Sequence, residues 1–75
     1  MTSKQFIIMR LESLFEILEA RAIVHVYLLK EDGSNEQIKS GAVYEFLSDT
    51  EFFRKYGNDP IIGISRSIST TSILI

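Results

Sequence analysis

The chain has 75 residues, of which 45% are hydrophobic and 24% charged, and its formal net charge is -2. One domain of about 100 residues or fewer is the size such a chain supports, and it is too apolar for intrinsic disorder. The near balance of charge excludes a strongly basic nucleic-acid arm and a heavily acidic DNA mimic, while the absence of Cys and the single His25 exclude disulfides, thiolate zinc sites, cysteine nucleophiles and a His-rich metal cage.

A domain of this size buries only about 60–65% of the surface its unfolded chain exposes, so its core is thin. Disulfides and metals, which often reinforce small domains, have no residues here. The sequence nevertheless carries eleven isoleucines and five phenylalanines. That is more large apolar surface than one thin layer needs, and it leads to the expectation of a homodimer or higher homo-oligomer. The apolar segment Phe6-Ile7-Ile8-Met9 is interrupted by Arg10, Glu12 and Glu16 before reaching signal-peptide length. No run approaches the ~18 apolar residues of a membrane span, so a cytoplasmic protein without membrane contact is expected.

In chain order, the spacing of Ile8, Leu11, Phe15, Leu18 and Ala22, widened by Ile7, Leu14 and Ile17, predicts a long helix over residues 3–21. Thr2 with Gln5 fits a capping box, and Ser3 is a second candidate cap. The β-branched and aromatic run from Ala22 to Leu29 predicts a strand, with Val24, Val26 and Leu28 on one face and Ile23, His25, Tyr27 and Leu29 on the other. Asp32-Gly33 predicts a hairpin turn. The return strand begins near Glu36, and Gly41 marks a bulge or bend inside it. Residues 42–47 read as its continuation, a helix from Ala42 being the alternative.

Ser48-x-x-Glu51 has the form of a capping box, with Leu47 and Phe52 as its hydrophobic staple. It predicts a short helix burying Phe52, Phe53 and Tyr56, with Gly57-Asn58 as a left-handed C-cap and Pro60 beyond it. From Ile61 to Ile75 the pattern is strand, with Ile62, Ile64 and Ile68 alternating with small residues, and Ser69–Ser72 either a turn or more strand. The expectation is a single α+β domain over residues 1–75. A long N-terminal helix packs on a small, mainly antiparallel sheet of the hairpin and C-terminal strand or strands, with the short helix between them.

Catalytic patterns are absent from this reading. One imidazole serves many serines, and no Gly-x-Ser-x-Gly elbow occurs. The acidic residues Glu31, Asp32 and Glu36 lack the order of a calcium loop, and the scattered glycines form no phosphate cradle. No metal or cofactor is expected, and the chain reads as a non-enzyme. An enzyme with a site shared across an interface, using His25, is the reading that remains against this.

Three surfaces are candidates for partner binding. The C-terminal strand carries Ile68, Ile73, Leu74 and Ile75 with no charged residue after Arg66, which leaves it unprotected if it lies at a sheet edge and explained if it lies centrally. The outer hairpin face carries Ile23, His25 and Tyr27. Glu12, Glu16 and Glu19 form an acidic stripe at helical spacing, without a Lys or Arg four residues away. The expected function is therefore a small protein–protein interaction or modulator module, of the size common among accessory proteins of bacteria and bacteriophages. The alternative is a nucleic-acid accessory protein using Arg54, Lys55 and Arg66, with Lys39 nearby and Phe53 and Tyr56 interleaved.

Overall fold

The structure, a computed structural model, describes residues 9–75. Its elements run α1 (Leu11–Phe15), β1 (Ile23–Leu29), β2 (Asn35–Ala42), α2 (Val43–Leu47), α3 (Thr50–Tyr56), β3 (Gly63–Arg66) and β4 (Thr70–Leu74). The strands form one four-stranded sheet in the order β2-β1-β4-β3. β1–β2 and β3–β4 pair antiparallel, while the central pair β1–β4 is parallel, so the sheet is mixed and the fold is α+β.

The hairpin follows the sequence expectation. Gly33 turns with a φ of 87°, which its missing Cβ permits, and Asp32 Oδ1 accepts the Ser34 N–H at 2.9 Å. Ile38 is the extra residue of a bulge, since Val26 pairs with Lys39 and Tyr27 with Gln37.

The long N-terminal helix is corrected to five residues, and the caps assigned to Thr2, Ser3 and Gln5 lie outside the described residues. Arg10 is extended, with φ -86° and ψ 155°, and bridges Pro60, while the Met9 carbonyl accepts the Ile61 N–H at 2.8 Å. The free N–H groups of α1 are satisfied by the turn that follows α3: Leu11 N–H donates to the Asp59 carbonyl and Glu12 N–H to the Gly57 carbonyl, at 3.0 and 2.9 Å. A short helix draws its stability from packing, so these contacts outweigh a continuous helical pattern.

Residues 42–47 are corrected from strand to a bend and helix. Gly41, at φ 149°, turns the chain, and the Val43 and Tyr44 N–H groups donate to the Ala22 and Ala20 carbonyls, both at 2.9 Å. Val43 and Phe46, three apart, then point into the core. Because α2 occupies this stretch, Ser48 ends one helix instead of starting the next. Its hydroxyl donates to the Glu45 carbonyl, and Asp49 caps α3 by accepting the Phe52 N–H at 3.1 Å. The Leu47–Phe52 staple does not form, since Leu47 is 53% exposed.

Gly57 is not left-handed: its φ is -59°. Its role is close approach, because a Cβ there would lie 2.5 Å from the Phe53 carbonyl oxygen and 3.1 Å from a Glu12 carboxylate oxygen. The C-terminal segment is a hairpin, with Ser67–Ser69 as its turn and Thr70–Ser72 in β4. Ile62, Ile64 and Ile68, whose alternation with small residues predicts one buried face, are instead all exposed: Ile62 precedes β3, Ile64 lies on that edge strand and Ile68 sits in the turn beyond it.

The core lies wholly on one side of the sheet. Leu11, Leu14 and Phe15 of α1, Val43 and Phe46 of α2, and Phe52 of α3 pack on Val24, Val26, Ile73 and the terminal Ile75. Phe15 is its aromatic hub, with ring centroids 4.9 Å from Phe46 and 5.2 Å from Phe53. Such pairs contribute about 0.5–1.5 kcal/mol each beyond the area they bury.

A candidate interaction surface on the open sheet face

Strand alternation fixes which side chains leave the core. On β1 the inward residues are Val24, Val26 and Leu28, so Ile23, His25, Tyr27 and Leu29 point to the opposite, outer face. Register carries this parity across the sheet. Ser40 and Gln37 of β2 stand opposite His25 and Tyr27, and Thr70, Ser72 and Leu74 of β4 stand opposite Ile23, His25 and Tyr27. On β3, Gly63 and Ser65 complete the face opposite Leu74 and Ser72. The core-forming helix residues pack on the other side; on this side Tyr44 and Glu45 of α2, with Ala20 and Arg21, border only the corner at Ile23 and the buried Ala42.

The distribution of charge is one-sided. The strands carry three charged side chains, Glu36, Lys39 and Arg66. Their register partners are Leu28, Val26 and Thr71, all on the helix side. The outer face therefore holds no Asp, Glu, Lys or Arg at any strand position. It is built of isoleucine, leucine and tyrosine, a set of serine, threonine and amide side chains, and His25.

His25 and Ser72 lie at its centre, as register partners near the middle of the two inner strands. The Nδ1 of His25 is covered and has no hydrogen-bond partner among the described residues. Beside it, Tyr27, Asn35, Gly63, Ser65, Ser72 and Leu74 line a shallow depression of about 390 Å³.

The three surfaces expected from sequence are placed differently. Ile73 and Ile75 are core residues, Leu74 belongs to the outer face, and Ile68 is fully exposed at the β3–β4 turn. β4 lies centrally, with its backbone paired to β1 on one side and β3 on the other, so the sheet edges are β2 and β3. The hairpin residues Ile23, His25 and Tyr27 do share one face, and Leu29, Ser72 and Leu74 extend it. Glu12 is in α1, but the helix ends at Phe15, so Glu16 and Glu19 fall in the following turns and no continuous acidic stripe forms.

The basic residues separate into two places. Lys39, Arg54 and Lys55 line a cleft of about 550 Å³ between β2 and α3, together with Asp49 and Glu51. Lys39 Nζ lies 3.1 Å from Asp49 Oδ2, and Arg54 pairs with Glu51. Phe52 is buried beneath this cleft, while Phe53 and Tyr56 pack against the core, so these rings do not form a stacking platform. Arg66 is on β3, three strand spacings or about 14 Å across the sheet from β2. The Asp49 carboxyl is held below the usual carboxylate range, chiefly by the Phe52 N–H and then by Lys39. Asp32 is lowered by the hydroxyl and N–H of Ser34.

Among the described residues, no three His, Asp or Glu side chains gather in a metal-binding group, and no helix is long and apolar enough to cross a membrane. Residues 9–75 thus form a small α+β fold whose mixed sheet is covered by short helices on one face and, among the described residues, is largely open on the other. Comparisons with known protein families, curated proteins and solved structures return no match to this chain.

Proposed function

We propose that this protein is a cytoplasmic, non-enzymatic interaction module that acts by protein–protein contact and works as a homo-oligomer. The observation that supports it is the outer sheet face, which presents Ile23, Tyr27, Leu29 and Leu74 on the side away from the core helices. Sheets bury an apolar face against a second layer, and the described core helices all pack on the opposite side of this one. Contact with another protein supplies that layer.

Sedimentation equilibrium of the purified protein tests the reading. Particles of at least twice the 8.6 kDa chain mass at micromolar concentrations support it, and a monomer at every concentration up to about 1 mM sinks the homo-oligomeric part. The nucleic-acid alternative predicts affinity that falls steeply with salt, because phosphate contacts release counterions. The pairing of Lys39 with Asp49 and of Arg54 with Glu51 weighs against it.

A further inference from the structure

We infer that two copies of this chain pack outer face to outer face about a two-fold axis, with the His25–Ser72 pairs of both copies near the axis. This rests on the homo-oligomeric reading above and adds the surface and its occupant.

The distribution of charge favours a second copy as the occupant. A two-fold interface brings each patch onto itself, so any charge near the axis meets its own like. A foreign partner is commonly selected by complementary charge. Among the described residues, the strand positions of the outer face carry no formal charge, since all three charged strand residues are turned to the helix side, and the charges that border it at the Ile23–Ala42 end are one of each sign, Arg21 and Glu45. The centre of such a face holds nothing to repel its own copy.

Size and shape agree with this. Four strands spaced about 4.8 Å apart, rising about 3.3 Å per residue, make a plane roughly 19 by 20 Å. Two such faces cover roughly 760 Å² in plan, the scale of a weak, reversible contact rather than of a permanent dimer. Facing sheets pack about 10 Å apart with side chains interleaved. Short serines and threonines on β3 and β4 stand beside bulky Ile23, Tyr27 and Leu29 on β1, an alternation of low and high relief that lets one face seat in the other. Ser72 and His25 also leave hydroxyl and imidazole groups at the centre to bond across the axis.

The test introduces charge at the centre of the face and elsewhere. Ser72→Lys and Gln37→Lys each put an ammonium on the outer face, at a central and a peripheral position, and Leu47→Lys puts one on an exposed apolar site of α2 as a control. Circular dichroism confirms that each variant folds, and sedimentation equilibrium measures the dimer dissociation constant. The expected result is that Ser72→Lys raises it at least tenfold, Gln37→Lys raises it less, and Leu47→Lys leaves it within twofold. A dimer that both outer-face variants leave as tight as wild type overturns this inference while keeping the homo-oligomeric reading. Wild-type protein that stays monomeric overturns both.

Discussion

Lys39 Nζ lies 3.1 Å from Asp49 Oδ2, which ties the bulged edge strand β2 to the first turn of α3. The other carboxylate oxygen of Asp49 accepts the Phe52 N–H, so a single side chain caps a helix and anchors it to the sheet. This places the cap one residue beyond the serine that the sequence pattern favours. Asp49→Ala is expected to lower the melting temperature by roughly 4–8 °C, the shift that about 1 kcal/mol produces in a domain of this size. Ser48→Ala, which removes only an exposed hydroxyl bond to the Glu45 carbonyl, should move it by less than about 2 °C. Equal losses from the two variants would return the cap to Ser48.

The same carboxylate sets an acid limit on the fold. The folded protein holds Asp49 and Asp32 below the ordinary carboxylate range, so both favour the folded state when ionised. That contribution is complete above the unfolded value of about 4 and is lost as pH falls through the lowered folded values. Thermal stability should therefore not depend on these two groups between pH 7 and pH 5, and should decline below about pH 4. Asp49→Asn keeps a good capping side chain but cannot titrate, so its acid decline should be shallower than that of wild type. An unchanged decline in that variant would show that Asp49 is not a source of it.

Two glycines separate steric from conformational requirements. Gly57 sits where α1 meets the end of α3, and a Cβ there would press on the Phe53 carbonyl and the Glu12 carboxylate. Gly33 has open space around its Cβ position but a φ of 87°. Gly33→Ala should cost about 1–2 kcal/mol through backbone strain alone. Gly57→Ala should also perturb α1, seen as faster hydrogen exchange at the Leu11 and Glu12 amides, which the Asp59 and Gly57 carbonyls now hold. Normal protection of both amides in Gly57→Ala would remove the close-approach role.

The hairpin was legible because its signals are local: Asp32-Gly33 dictates a turn, and the β-branched run around His25 dictates a strand. The helix ends were not. The start of α1 is set by contacts between residues 45 to 50 positions apart, Arg10 with Pro60 and Glu12 with Gly57, and periodicity contains no term for them. Residues 42–47 satisfy both a strand alternation and a helical spacing, and the Ala20 and Ala22 carbonyls decide in favour of the helix. The outer face was half visible, as Ile23, His25 and Tyr27. Its charge-free character required the bulge at Ile38, which turns Lys39 inward, and the parallel register of β1 with β4, neither of which the local pattern specifies.

His25 stands at the centre of the proposed contact, beside Tyr27 on its own strand and opposite Ser40 of β2 and Ser72 of β4, and no strand position there supplies a carboxylate to balance a cation. Near a two-fold axis, a fixed positive charge at this position meets its own copy in a largely apolar interface, which opposes association. His25→Lys is therefore expected to raise the dimer dissociation constant at least tenfold in sedimentation equilibrium, with circular dichroism confirming that the variant folds. His25→Gln, which keeps a polar side chain of similar reach without a charge, should raise it much less. Equal weakening by the two variants would show that the absence of charge at this position is not what permits the contact.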